Sequence, residues 1–139
     1  MLLLDLYRDI TEVWRVIRND DEILKLMDLT GVNPVEIAKR IIKRSQWDGL
    51  IDGKRICIYY RPFRMGVNDI IREQIIEIDV HVPTIKEGDA YRIQNRVKEL
   101  IHDRVINGRR FYLEMPLGEL ATAQGFMCVG LRFRSYALI

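Results

Sequence analysis

The chain has 139 residues, of which 48% are hydrophobic and 30% are charged, and its formal net charge at pH 7 is +2. This balance is typical of a globular protein and argues against a disordered chain or a strongly basic nucleic-acid-binding domain. No uncharged run approaches the roughly 18 residues of a membrane span, and the apolar start lacks the basic region of a signal peptide. We therefore expect a single domain over residues 1–139, made and kept in a cytoplasm, with no membrane partner.

The first third of the chain predicts helices. Apolar residues recur at helical spacing over 3–17, and Asn19-Asp20-Asp21 breaks this pattern and can cap a short second helix. Asn33 and Pro34 then form the clearest local signal, because asparagine is a favoured N-cap and proline suits the first helical position. The pattern predicts a third helix that continues to about Arg44.

The next segment predicts strands around a long connection. Gln46–Leu50 is a candidate short strand, and Lys54–Tyr60 alternates as a second strand does. The following loop, Pro62–Arg72, is long for a hairpin and rich in apolar residues. Such a loop indicates a contact with another molecule, and packing back over the sheet is the alternative. The residues predicted to make this contact are Phe63, Met65, Val67, Ile70 and Ile71.

The centre of the chain predicts a strand, a bend and a long helix. In Glu73–Val82 the apolar residues at 76, 78, 80 and 82 alternate with Glu77, Asp79 and His81, which is the period of a strand with one buried face. Pro83 ends the strand. A polar bend follows, and apolar residues recurring over 90–101 predict the amphipathic helix.

The last segment predicts two more strands. Asn107-Gly108 is a turn signal before a strand at Arg110–Met115. Pro116–Gln124 is interpreted as a second connection, with a helical turn at Leu117–Leu120, before the final strand Gly125–Tyr136. The predicted fold class is α+β: N-terminal helices, then a mainly antiparallel sheet of about four strands with one long helix packed on it.

The two cysteines, Cys57 and Cys128, lie far apart and neither belongs to a CxxC pair. Each falls inside a predicted strand. Reduced, partly buried thiols are therefore expected, with a disulfide as the alternative.

Glu77, Asp79 and His81 project to one side of the central strand, an arrangement that would suit a divalent metal in a nuclease. Nucleases with a strand carboxylate pair normally add a lysine two residues on, and none is present. Opposite charges on neighbouring strands are the favoured interpretation. The basic partners expected there are Arg55, Arg61, Arg132 and Arg134.

The chain lacks a G-x-S-x-G elbow and a glycine-rich nucleotide loop, so we expect no catalytic residue, metal or cofactor. The long helix and its exit are basic, with aromatic residues nearby, which can track a nucleic-acid backbone. Three acidic residues reduce the positive charge of this region: Glu99, Asp103 and Glu114. A basic rim that faces DNA in an assembly, without binding it specifically, is therefore the favoured interpretation. The basic residues are Arg92, Arg96, Lys98, Arg104, Arg109 and Arg110.

The order of elements resembles that of the tail-terminator and tail-to-head joining proteins of long-tailed phages and their prophage relatives. The resemblance is carried by the hairpin with its long apolar loop, the I-E-I-D-V-H-V strand, the polar bend, the long amphipathic helix and two C-terminal strands. It is clearest from Lys54 to Tyr136. The helix opened by Asn33-Pro34 departs from the simplest version of the pattern.

This resemblance implies a structural virion assembly protein rather than an enzyme. Members of the family form rings, often hexameric, that cap the tail tube and join it to the head connector, and DNA passes through the ring. The implied location is the host cytoplasm during assembly and then the head–tail junction of the virion. The apolar loop would contact another subunit or partner, and Arg92, Arg96, Arg132 and Arg134 would face the DNA. A metal-dependent nuclease and a small nucleic-acid-binding module are the alternatives.

Overall fold

The computed structural model describes residues 5–45, 53–62, 64–68 and 70–138. Four helices are found in these ranges: α1 (Leu6–Arg18), α2 (Asp21–Leu26), α3 (Pro34–Arg40) and α4 (Glu87–Ile101). A 3₁₀ turn, Thr84–Lys86, leads directly into α4. Within the described ranges no helix is both long and apolar enough to cross a bilayer.

The described residues also form seven strands. They are β1 (Ile41–Ile42), β2 (Arg55–Tyr60), β3 (Arg64–Asn68), β4 (Ile71–Pro83), β5 (Arg104–Ile106), β6 (Arg109–Leu120) and β7 (Phe126–Leu138). Their order is β1-β2-β4-β7-β6-β5, and β3 also pairs with β4. The strand β1 runs parallel to β2, and the other pairs are antiparallel.

The protein is α+β, but the prediction of a mainly antiparallel sheet of about four strands is wrong. The sheet is mixed and has more strands than predicted. The three short strands β1, β3 and β5 were not recognised from the sequence pattern. Two residues, as in β1, or three, as in β5, are too few to show alternation. The predicted strand Gln46–Leu50 lies outside the described residues.

The third helix is shorter than predicted and begins as expected. Asn33 Oδ1 accepts a hydrogen bond from the Glu36 N–H at 3.0 Å, which confirms the N-cap. The helix ends at Arg40 rather than Arg44, and Ile41 continues as β1. The indole N–H of Trp14 donates to the Ile41 carbonyl oxygen at 2.7 Å and ties this edge strand to α1.

The predicted long loop is a β-hairpin instead. After Arg61 and Pro62 the chain returns to strand conformation as β3, which pairs with the start of β4, with Arg64 opposite Glu73 and Asn68 opposite Ile71. The pairing register shifts inside β3, and such irregularity masks the alternation by which a strand is recognised in sequence. Both β2 and β3 therefore lie along the same edge of the long strand β4.

The first five residues of the second predicted connection belong to β6, and residues 121–124 remain a connection. Residues 116–120 stay paired with β7, with Pro116 opposite Leu131 and Leu120 opposite Cys128. Two register shifts interrupt the pairing, and each bends and twists the strand. Pro116 is tolerated because β5 covers only the start of β6 and leaves the rest of that edge open. Proline and glycine in a bulged strand explain why the sequence indicated a turn.

The Asn107-Gly108 turn is confirmed. It joins β5 to β6, and both residues have positive φ, 52° and 79°. This combination is that of a two-residue type I′ hairpin, whose twist matches the strands it joins.

One face of the sheet carries the hydrophobic core. The helices α1 and α4 pack against it, and the predicted core faces of the central and final strands both point into it. These residues are Ile76, Ile78, Val80 and Val82 from β4 and Met127, Val129, Leu131 and Phe133 from β7.

Buried ion pairs join the helices to the sheet. Asp9 of α1 and Arg109 of β6 are both about 1% exposed and form a salt bridge, and Asn107 Nδ2 donates to the same carboxylate. On the other side, Lys54 Nζ lies 2.8 Å from Asp89 of α4. Because each cation is taken out of water, each needs its partner to offset the lost hydration.

Candidate functional site

The second face of the sheet is lined by polar residues, and many of them are buried. Glu77 is 3% exposed, Asp79 7% and His81 8%, so the alternating strand β4 is enclosed on both faces. Leu117 and Leu120 of the bulged strand β6 approach this face beside Gly130. We refer to the side chains of β2, β4 and β7 on this side as the polar face.

The pairing register of the strands aligns the side chains of the polar face in rows across β2, β4 and β7. Tyr59 lies opposite Glu77, which lies opposite Arg132. The Nε of Arg132 donates to Glu77 Oε1 at 2.9 Å, and Arg61 Nε is 3.7 Å from the same oxygen. These contacts confirm the predicted charge pairing between neighbouring strands for Glu77.

Tyr59 links the two carboxyl groups of the central strand. Its hydroxyl oxygen lies 2.5 Å from Glu77 Oε2 and 2.7 Å from Asp79 Oδ2. A phenol has one proton and can donate to only one acceptor. The second short contact therefore needs a proton on a carboxyl group.

The proton belongs to Asp79. Burial, followed by hydrogen bonding with Glu77, raises the pKa of Asp79 to about 7. Burial also acts to raise the pKa of Glu77, but hydrogen bonds with Asp79, Tyr59 and Arg132 outweigh it and hold the pKa below its usual value. Near neutral pH the pair thus holds a neutral or half-neutralised Asp79 beside an ionised Glu77.

Gly130 gives Asp79 its space. A Cβ at position 130 would lie 2.5 Å from Asp79 Oδ1 and 3.1 Å from a methyl carbon of Leu120. Asp79 Oδ1 itself is buried and has no hydrogen-bond partner among the described residues. The absence of a side chain on β7 at this position is therefore required by the carboxyl group on β4.

His81 and the cysteines form the other end of the polar face. His81 Nδ1 is 2.7 Å from Thr122 Oγ1, and Cys128 Sγ is 3.7 Å from His81 Nε2. Burial and the nearby Arg55 lower the pKa of His81 to about 4, so the ring is neutral at pH 7. Cys57 and Cys128 are free and buried, which confirms reduced thiols. Burial raises the pKa of Cys57 to about 11 and that of Cys128 to about 12, so neither is a reactive thiolate.

The residues that the nuclease alternative would use are engaged with other side chains of the polar face. Glu77 and Asp79 are held by Tyr59 and Arg132, and His81 turns toward Thr122. In the part of the chain that the structure describes, no three His, Cys, Asp or Glu residues are grouped to hold a metal ion. The alternation in the sequence places Tyr59 on the same side of β2 as Arg55 and Cys57, but it did not indicate the contact of Tyr59 with the two carboxyl groups.

The residues predicted for a subunit contact lie in and around the β3–β4 hairpin. Ile70, in the turn, is 60% exposed, and Ile71 begins β4 opposite Leu138. Met65 and Val67 belong to β3, and Phe63 lies outside the described residues. Their role in a contact stays a prediction.

The four arginines predicted to face DNA lie on opposite sides of the sheet. Arg92 and Arg96 belong to α4, on the core side, where Arg96 pairs with Asp20 at 2.7 Å. Arg132 and Arg134 belong to the polar face, where the Arg134 guanidinium lies 5.9 Å from the centre of the Tyr112 ring. One surface cannot hold all four, and a DNA-facing role for either pair stays a prediction. Of the wider basic set, Arg109 is buried against Asp9.

Comparison with known proteins defines the class of fold. No family model and no curated protein matches the chain. Among solved structures, one matching chain belongs to the virion of a native gene transfer agent particle. The two chains are 12% identical, the match covers 93% of each, and the TM-score is 0.61. The protein therefore shares the fold of that virion component over nearly its whole length.

Proposed function

We propose that the protein is a structural component of a phage-like virion, and specifically a ring subunit that caps the tail tube and joins it to the head connector. The observation that carries the proposal is the fold shared with a gene transfer agent virion chain over 93% of both chains. The element order of the tail-terminator and tail-to-head joining proteins supports the finer assignment. As such a subunit the protein is a single domain that works without catalysis or cofactor.

The chemistry of the polar face is consistent with this role. Its carboxyl groups are engaged with tyrosine and arginine side chains inside the sheet, which is an arrangement that stabilises a fold rather than one that receives a substrate. The exposed hairpin turn at Ile70 offers an apolar contact instead. In this proposal the protein assembles with copies of itself in the host cytoplasm and ends at the head–tail junction, where DNA passes through the ring.

The proposal is tested by adding the purified protein to phage tails made without their terminator. We expect the protein to bind one end of the tail, to stop further tube growth and to restore joining to filled heads, as seen by negative-stain electron microscopy. Heads and tails that remain separate, with tails of uncontrolled length, would contradict it. Bovine serum albumin at the same concentration serves as the negative control.

A further inference from the structure

The structure has an uncovered strand edge on β6. The strand β5 pairs with β6 only over residues 109–111, and the Leu113 N–H beyond it donates to His102 Nδ1 at 2.9 Å. From 115 to 120 no described strand lies on that edge. Met115 there is 41% exposed, and Pro116, Gly118 and Glu119 are exposed as well. Unpaired strand edges act as templates for pairing with another chain.

A second open edge lies on the hairpin. The strand β3 pairs with β4 on one side and with no described strand on the other. In the order β3-β4-β7-β6 the two open edges are on opposite sides of the sheet, so they cannot meet within one molecule. Opposite, non-identical edges are what a head-to-tail contact between copies requires.

The two edges differ in charge. Residues 115–120 contain one acidic residue, Glu119, and no basic residue. The strand β3 contains one basic residue, Arg64, and no acidic residue. Opposite charge favours this pairing and disfavours two copies of the same edge from meeting.

We infer that the open edge of β6 receives the strand β3 of a second copy of this chain, so that the sheet continues from one subunit to the next. The five residues of β3 fit within the open edge at residues 115–120, and main-chain hydrogen bonds supply the pairing. Pro116 has no N–H group and so offers no backbone donor to a partner strand. The inference rests on the proposed ring assembly and names the surface that completes it.

Cysteine cross-linking tests the contact. The variant Met65→Cys/Gly118→Cys places one new thiol on each edge, and a Cβ at position 118 meets nothing within 4 Å. A bond within one chain is excluded because β4 and β7 separate the two strands, at three spacings of about 4.8 Å, whereas a disulfide needs Cα atoms within roughly 7 Å. The native cysteines are buried and do not interfere.

On mild oxidation we expect the double variant to give a ladder of covalent multimers. An equal mixture of the two single variants should stop at dimers, and each single variant alone should stay monomeric on a denaturing gel. Assembly without cross-links, cross-linking within a single-variant sample, cross-links to a tail protein alone, or a protein that stays monomeric would each overturn the contact. Tail capping is measured separately, so a failed contact is distinguishable from a failed function.

Charge reversal gives a second measurement. Glu119→Arg or Arg64→Glu alone should weaken association by roughly tenfold, and the two changes together should restore it. Glu87→Arg is the matched control, because it reverses an exposed acid on α4 away from both edges. Equal association of all variants in sedimentation velocity experiments would overturn the inference, and circular dichroism checks that each variant is folded.

Discussion

At the scale of single residues, the contacts among Tyr59, Glu77 and Asp79 on the polar face depend on one carboxyl proton. Tyr59, Glu77 and Asp79 have two short contacts and too few protons to serve both unless Asp79 is protonated. Burial and the neighbouring Glu77 raise the pKa of Asp79, whereas the hydrogen bond with Tyr59 acts to lower it. Such a group makes the stability of the fold depend on pH.

We predict that the free energy of unfolding falls as pH rises from the ordinary carboxyl range, about 4–5, to about 7. Folded Asp79 keeps its proton in this window and unfolded Asp79 releases it, so unfolding is favoured as pH rises. The slope from this group is at most about 1.4 kcal/mol per pH unit. Glu77, whose pKa is lowered, acts in the opposite direction and loses its contribution as pH falls below that range.

Urea denaturation followed by circular dichroism at a series of pH values measures this dependence. Asp79→Asn keeps the size of the side chain and removes the titrating proton, so its stability should change less over the same range. If wild type and Asp79→Asn give parallel pH profiles, the proton is not held by Asp79.

A second residue-scale prediction concerns Gly130. In Gly130→Ala the new methyl group would meet Asp79 Oδ1 and the Leu120 side chain, so we expect a loss of stability of about 1–3 kcal/mol. Gly118→Ala is the matched control on the neighbouring strand, where the methyl group meets nothing, and its effect should stay within about 0.5 kcal/mol. Equal urea midpoints for the two variants would contradict the crowding at position 130.

At the scale of elements, the sequence predicted those whose pattern is long and regular. The alternation over 76–82, the helix pattern over 90–101 and the Asn33 cap were all confirmed, because each rests on local periodicity or local hydrogen bonding. The sequence predicted a loop where β3 lies and a connection over the last five residues of β6, and both predictions were wrong. Register shifts in both strands break the alternation, and Pro116 and Gly118 imitate a turn.

The polar face was only partly predictable. The alternation correctly placed Glu77, Asp79 and His81 on one side of the strand, and charge pairing with arginine was expected. The burial of that side was not predicted, because a row of acidic residues on a strand considered alone indicates a solvent-exposed face. Tyr59 could have been found only by aligning β2 with β4, which needs the register.

The link between α1 and the β5–β6 turn gives an element-scale prediction. Arg109→Met removes the cation from a fully buried pair and leaves the Asp9 carboxylate uncompensated, at a cost of about 3–5 kcal/mol. The double variant Asp9→Leu/Arg109→Met removes both charges and should recover most of this loss. Thermal unfolding followed by circular dichroism measures both, and a double variant less stable than Arg109→Met alone would contradict the pairing.

At the scale of the whole molecule, we expect the exposed hairpin turn to contribute to assembly but not to folding. Ile70→Asp should leave the stability of the monomer unchanged within about 0.5 kcal/mol, because the side chain is 60% exposed, while it lowers ring formation. Ile85→Asp is the control, since Ile85 is 92% exposed on a different part of the surface. Mass photometry of both variants measures assembly. Equal fractions of ring in the two variants would show that the hairpin turn is not part of the contact.

The buried pair of Asp9 and Arg109 also has a consequence during synthesis. Its two residues are 100 positions apart, so the carboxylate of the first helix has no counter-charge until the ribosome has passed the distant arginine. Docking that helix before Arg109 is available would bury an uncompensated carboxylate, which is unfavourable. We therefore expect the first helix to gain its final stability only after the C-terminal strands have been translated.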